Sequence, residues 1–155
     1  WTLRAKKSPE QEVPLYLKNL IAHVSSNASG CRYCQAHTAW EAHYNGAAIE
    51  KIEAVWEFQR SPLFSAEEKA ALNFALAAGA SPNQVTEAHH AALEKYYTPA
   101  QIVEIVSTLS VFGFLNRWND SMMTPIEEKA LKFASQHLKH TGWEAGKHGK
   151  RRSAN

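Results

Sequence analysis

Hydrophobic and polar residues follow each other along this chain with the period of helices rather than strands. Apolar side chains recur at spacings of three and four residues, and no segment alternates strictly as a half-buried strand does. The pattern predicts an all-α fold, a compact multi-helix bundle with short connections. The predicted helices lie near residues 13–25, 31–45, 47–60, 66–78, 84–96, 99–117 and 125–141.

Capping signals mark the ends of several of these helices. Ser65, Thr98 and Thr124 each supply a hydroxyl at a helix start, with Glu or Gln three residues later. Pro follows directly after the last two, at the position where a helix tolerates it best. The predicted helix ends carry a glycine suited to a left-handed cap, at Gly46, Gly79 and Gly142.

Two helices differ in the distribution of their apolar residues. The helix near 99–117 is apolar on several sides, which predicts either the central helix of the bundle or a helix buried in a subunit contact. The helix near 66–78 has charged residues in its first turn and is predicted to lie at the surface of the bundle. Arg117, at the end of the first of these helices, is predicted to pair with Asp120 or another carboxylate.

Composition and charge limit the class of protein. The chain has 155 residues, 45% of them hydrophobic and 21% charged, which fits one globular domain over residues 1–142. We expect a cytoplasmic protein without a membrane partner, because no signal peptide or apolar run of about 20 residues is evident. Residues 143–155 are basic and predicted to form a flexible tail. Without that tail acidic residues outnumber basic ones, which argues against a nucleic-acid partner.

The chemistry is expected at the only two cysteines, Cys31 and Cys34, which stand at the start of a predicted helix. Unpaired backbone N–H groups and the positive end of the helix dipole favour thiolate there, the form that attacks peroxides and disulfides. Zinc, a structural disulfide or two core cysteines remain alternatives. No second metal-ligand pair, haem-attachment motif or glycine-rich phosphate loop is present, so no metal or cofactor is expected.

A proton relay can be built on the same predicted helix. Cys34, His37 and Glu41 share one stripe over two turns, because residues three, four and seven apart lie on one helix face. His37 can take a proton from the Cys34 thiol or from a bound peroxide, and Glu41 can orient the imidazole. Alternatively, His37 lies at the edge of the core and Glu41 is solvated.

The segment Cys31-Arg32-Tyr33-Cys34, followed by His37, resembles the carboxymuconolactone decarboxylase and alkyl hydroperoxidase D superfamily. The resemblance extends through Phe64–Ala75, Thr98–Ile105 and Phe114–Arg117. It implies the compact helical fold of that superfamily, assembled as a homo-oligomer (dimer, trimer or hexamer), without metal or cofactor. By position it implies that Cys34 attacks a small hydroperoxide, that Cys31 closes the disulfide, and that a dithiol or thioredoxin-like reductant restores the pair.

This sequence departs from the family pattern at two positions. Thr38 stands where the family usually has histidine, and Asn19 where it usually has glutamate. Since an amide cannot exchange protons as a carboxylate does, we expect Glu41 to replace the missing group. The predicted function is a thiol-dependent hydroperoxide reductase, an antioxidant oxidoreductase of peroxidase type. The alternatives are a decarboxylase-like lyase, which would not need the cysteines, and a catalytically silent helical protein.

Overall fold

The computed structural model describes residues 12–149, which form seven α-helices and no strand. The all-α prediction is confirmed. The predicted helix near 47–60 is only partly formed. Its α-helical part ends at Glu53, and a short 3₁₀ turn, Val55–Glu57, follows. The helices are α1 Leu15–Ala28, α2 Arg32–Tyr44, α3 Ile49–Glu53, α4 Ala66–Gly79, α5 Glu87–Glu94, α6 Pro99–Met122 and α7 Glu128–His137.

The central helix is α1. Its residues 19–26 are all buried, and it packs against α2, α4 and α6. The prediction that 66–78 lies at the surface is wrong, because α4 buries seven of its residues and packs closely on α1. A Cβ on Gly79 would lie 2.7 Å from the Ser25 carbonyl oxygen and 2.8 Å from its Cα, so the approach of α4 to α1 requires glycine there.

Helix α6 is not central within the chain. It buries one stripe that includes Ile102, Ile105 and Leu109, and its other side exposes several large apolar residues. A subunit contact stays a prediction for this exposed face. By length and composition alone α6 could cross a membrane, contrary to the sequence expectation, although one such helix is weak support for a span. The exposed residues are Val103, Val106, Val111, Phe114, Trp118 and Met122.

The capping boxes predicted at Ser65 and Thr98 are both formed, but the one at Thr124 is not. Helix α7 begins only at Glu128, because His148 holds residues 124–126 through two hydrogen bonds. The backbone N–H of Ile126 donates to the His148 carbonyl at 2.9 Å, and His148 Nδ1 lies 2.9 Å from the Thr124 carbonyl oxygen. A tertiary contact here overrides a local helix-start signal.

The predicted domain boundary at residue 142 is too early. The side chains of Trp143 and His148 are 4% and 0% exposed, so residues 143–149 belong to the packed body rather than to a flexible tail. The remaining residues of the predicted tail, 150–155, lie outside the described residues.

Candidate active site

The cysteine pair lies where α1 ends and α2 begins. Cys31 is the N-cap residue of α2, with extended backbone, and its sulfur accepts a hydrogen bond from the Cys34 backbone N–H at 3.4 Å. Both thiols are free, and they are 0% and 3% exposed. The fold therefore places two reduced sulfurs in the first turn of one helix, where backbone N–H groups stabilise negative charge.

The two sulfurs differ in acidity. The hydrogen bond from the Cys34 thiol lowers the pKa of Cys31, and backbone N–H groups of Cys34 and Tyr33 add to this effect against the opposing influence of burial. The same hydrogen bond, together with burial, raises the pKa of Cys34, since Cys34 must give up the proton it donates. The position at the α2 N-cap, where the Cys34 backbone N–H donates to its sulfur, favours thiolate at Cys31. The family resemblance instead implies that Cys34 is the attacking thiol.

A carboxylate and an imidazole from distant parts of the chain complete the surroundings of Cys31. Reactive atoms of Cys31, Asp120 and His148 all lie within 4.8 Å of one another. His148 Nε2 lies 3.3 Å from Asp120 Oδ1, and the Lys147 ammonium lies 2.7 Å from Asp120 Oδ2. Each nitrogen of the His148 ring therefore faces an oxygen atom, one of the Thr124 carbonyl and one of the Asp120 carboxylate.

Within residues 12–149, these three side chains are the group whose ligand atoms lie close enough together to hold a metal ion, and Cys34 carries the second sulfur of the site. A thiolate, an imidazole and a carboxylate are ligands that zinc accepts. However, the Lys147 ammonium already neutralises the Asp120 carboxylate and would repel a divalent cation beside it. We therefore interpret the cluster as a set of hydrogen-bonded side chains rather than as a metal site.

Asn119 is the polar group of α6 that contacts the second sulfur. Its Nδ2 lies 3.8 Å from the Cys34 sulfur and also donates to the Leu115 carbonyl at 3.0 Å. The bond to the Leu115 carbonyl holds the amide in place, and its donor stabilises negative charge on Cys34. One turn of α6 thus faces both cysteines, with Asn119 near Cys34 and Asp120 near Cys31.

The predicted relay residues are only partly brought together. His37 Nε2 lies 2.6 Å from a carboxylate oxygen of Glu127, which also accepts a hydrogen bond from the Tyr33 hydroxyl at 3.1 Å. Glu41 makes no hydrogen bond to His37 in the described structure. Burial raises the pKa of Glu41, opposed by the charge of His37. The carboxylate that orients His37 is therefore Glu127, and the prediction that Glu41 does so is not supported.

The departure at Thr38 has a structural counterpart on α1. The Thr38 hydroxyl donates to the Cys34 carbonyl at 2.7 Å, and His23 Nδ1 lies 3.1 Å from the Thr38 hydroxyl oxygen. His23 Nδ1 also donates to the Gln35 carbonyl at 3.0 Å. The His23 ring is completely buried, and burial lowers its pKa to about 4. An imidazole is thus present beside this position, supplied by α1 and held neutral.

Comparisons with known proteins agree with this fold. A family model described as "Carboxymuconolactone decarboxylase family" matches residues 2–77. The crystal structure of the debrominase Bmp8 is similar, with a TM-score of 0.76 and 36% identity over 80% of this chain and 67% of that one. The chain belongs to the carboxymuconolactone decarboxylase family.

Other relatives of the family match to different extents. A cysteine-to-alanine variant of Bmp8 in complex with 2,3,4-tribromopyrrole has a TM-score of 0.76 and 35% identity, covering 80% and 66% of the two chains. The uncharacterized protein YnjA of Escherichia coli K12 is 26% identical over 81% of this chain and 67% of its own length. The Agrobacterium tumefaciens protein ATU0492, a protein of unknown function, shares the fold, with a TM-score of 0.67 and 19% identity over 72% of this chain and 77% of its own. This chain thus spans about two thirds of the length of YnjA and Bmp8.

The sequence pattern and the family resemblance indicated the cysteines and His37 as site residues. They did not indicate Asp120 and His148, which the structure places beside Cys31. Asp120 was considered only as a partner of Arg117, whereas the structure pairs it with Lys147 and His148. His148 lay within the predicted tail. No local signal marks either residue, because their role depends on a contact between segments 28 residues apart.

Proposed function

We propose that this protein is a dithiol-dependent reductase of small hydroperoxides, in which Cys31 is the attacking thiol and Cys34 the resolving one. The observation that carries the proposal is the position of Cys31 at the α2 N-cap, where its sulfur accepts a hydrogen bond from the Cys34 backbone N–H at 3.4 Å. Such a sulfur is ionised at lower pH than an ordinary cysteine, and the Cys34 thiol stands three residues further along the same helix start.

The reaction balances with these two thiols and an external dithiol. The Cys31 thiolate attacks the terminal peroxide oxygen, the O–O bond breaks, and Cys31 becomes a sulfenic acid while the alkoxide leaves as an alcohol after gaining a proton. The Cys34 thiol then attacks this sulfur, which forms the disulfide and releases water. A reduced dithiol partner, of thioredoxin-like chemistry, restores both thiols and is itself oxidised to a disulfide.

The proton for the leaving alkoxide needs a donor near Cys31. The His148 ring, held between the Thr124 carbonyl and the Asp120 carboxylate, lies within the 4.8 Å cluster that includes the Cys31 sulfur. This pair does the work that the resemblance would assign to the residues at positions 19 and 38. His37, paired with Glu127, is a second donor on the face of α2 that carries Cys34.

A second candidate function is reductive debromination of a small aromatic compound. Its support is the 36% identity to the debrominase Bmp8. Replacement of an aryl bromide by hydrogen consumes the same two electrons: the thiolate takes the bromine, the second thiol displaces bromide and closes the disulfide, and the ring gains a proton. Both candidates therefore require the same cysteine pair and dithiol, and they differ only in the atom that sulfur attacks.

The experiment measures consumption of hydrogen peroxide and cumene hydroperoxide with dithiothreitol as reductant, for wild type, Cys31→Ser and Cys34→Ser. We expect both variants to lose turnover, and only Cys34→Ser to accumulate a sulfenic acid, trapped by dimedone at Cys31. A sulfenic acid that accumulates only in Cys31→Ser would reverse the assignment of the two thiols. Equal rates in all three proteins would reject the proposal.

A parallel assay separates the alternatives. Bromide release from a bromopyrrole, with the same reductant and the same variants, without any consumption of peroxide would support debromination. If peroxide oxidises no thiols of the wild-type protein, the result favours the alternative of a catalytically silent protein. Decarboxylation of a lactone by both cysteine variants at the wild-type rate would indicate the lyase.

A further inference from the structure

A cavity of about 460 Å³ lies beside the cysteine site, which is a volume typical of small-molecule pockets. It forms where the ends of α1 and α4 face the second half of α6. Its wall is mixed, with hydroxyl groups from α1 and apolar and charged residues from α6. The lining residues that matter here are Ser25, Gly79, Gly113, Asn116, Arg117 and Asp120.

The cavity contains a cation without a protein partner. Arg117 is exposed, and its guanidinium makes no ion pair or hydrogen bond in the described part of the chain. The nearest acidic residue along α6, Asp120, is already paired with Lys147 and His148. The positive charge of Arg117 is therefore available to a ligand in the cavity.

A second polar side chain at the cavity has unused hydrogen-bonding capacity. Asn116 is 3% exposed, and among residues 12–149 neither its amide nitrogen nor its amide oxygen has a hydrogen-bond partner. Buried polar groups in folded proteins are nearly always paired, so an unpaired carboxamide needs a reason. A ligand that accepts a hydrogen bond beside Arg117 would provide one.

Asp120 connects this cavity to the reacting sulfur. Its carboxylate lines the cavity and also lies in the cluster with Cys31 and His148. Arg117 and Asp120 are three residues apart on α6 and so lie on one face of the helix, about 5 to 6 Å apart at Cβ. A ligand anchored at Arg117 therefore extends along α6 towards Asp120 and the Cys31 sulfur.

We propose that this cavity binds the carboxylate of an organic hydroperoxide, with Arg117 as its ion-pair partner and Asn116 as an additional hydrogen-bond donor. The proposal rests on the proposed function, which it narrows to acidic hydroperoxides. A planar guanidinium matches a carboxylate in geometry. One cation balances one negative charge, whereas a phosphate dianion would be repelled by Asp120 in the same wall.

The chain offers a variant that fills the cavity without disturbing the fold. Gly113 lines it, and a Cβ built there has no atom within 4 Å, so a larger side chain meets open space. Replacement of a glycine within a helix also favours the helix. Gly113→Leu is therefore expected to block the cavity while the unfolding midpoint in urea stays at or above that of wild type.

The experiment has a kinetic arm and a binding arm. The kinetic arm compares kcat/KM for a fatty-acid hydroperoxide with that for neutral cumene hydroperoxide. We expect Arg117→Gln to lower the ratio of kcat/KM for the acidic substrate to kcat/KM for the neutral one roughly tenfold, because a charge-assisted hydrogen bond is lost. Arg60→Gln, an exposed arginine outside the cavity, is the control and is expected to leave the ratio unchanged.

The binding arm uses octanoate, which has the carboxylate but no peroxide, and isothermal titration of the reduced protein. Binding to wild type that is lost in Arg117→Gln and in Gly113→Leu supports the proposal. Absence of octanoate binding to wild type, or equal binding to all three proteins, overturns it even if peroxide is consumed. Octanoate binding with these losses, but without peroxide turnover, retains the anion pocket and rejects the proposed function.

Discussion

His23 makes the stability of this protein depend on pH in a way that one substitution tests. Its side chain is 0% exposed, and burial lowers its pKa to about 4 from an ordinary value of 6.5. The hydrogen bond from Nδ1 to the Gln35 carbonyl opposes this shift but does not outweigh it. The fold therefore requires a neutral imidazole at this place, with Nε2 buried and unpartnered.

The sign of the effect follows from the two pKa values. Between pH 6.5 and about 4 the unfolded chain binds a proton at His23 that the folded protein does not. The contribution of His23 to the free energy of unfolding is therefore fully present above pH 6.5. It falls as the pH is lowered through this window and does not change further below about pH 4. At about 1.4 kcal/mol per pH unit, the loss attributable to His23 amounts to roughly 3 kcal/mol.

The assay is urea unfolding at several pH values from 7 to 4, for wild type and His23→Gln. Glutamine keeps a donor for the Gln35 carbonyl but does not titrate, so the difference between the two free energies of unfolding should narrow by roughly 3 kcal/mol on acidification. His90→Gln, at an exposed position, is the control. Parallel curves for wild type and His23→Gln would show that His23 is not held neutral by the fold.

Two further predictions concern stability. Gly79→Ala should destabilise the protein by about 1 to 3 kcal/mol, because the new methyl group meets the Ser25 backbone, whereas Gly113→Ala should stabilise it by up to about 1 kcal/mol, because it meets no atom and favours the helix. Urea unfolding measures both, and changes of the same sign would contradict this account. Lys51→Met should lower the free energy of unfolding by about 3 kcal/mol, because it removes the ammonium that now lies 2.6 Å from the buried Glu68 carboxylate. A decrease of less than about 0.5 kcal/mol would contradict that expectation.

Much of the fold could be predicted because the signals that specify helices are local. The three- and four-residue spacing, the hydroxyl caps at Ser65 and Thr98 and the left-handed glycine Gly46 act within one or two turns. The prediction of a left-handed cap at Gly79 is wrong, because this residue lies inside α4 and is required by its contact with Ser25. The Cys-x-x-Cys pair at a helix start is equally local, which is why its position at the α2 N-terminus was predicted correctly. The failure at Thr124 has the opposite cause, since His148 supplies hydrogen bonds there from outside the helix.

What the sequence by itself determined about this protein is its helices, its family and the place of its two sulfurs. Tertiary structure decided which side chains surround them, because Asn119 contacts the Cys34 sulfur, and Asp120 and His148 lie beside the Cys31 sulfur. It also determined that Glu127 rather than Glu41 pairs with His37, and that His148 contacts Asp120. These contacts join segments far apart in the chain, and nothing in the local pattern of residues encodes which distant side chain arrives. The helices follow from short-range periodicity, whereas the chemistry of the site depends on long-range packing.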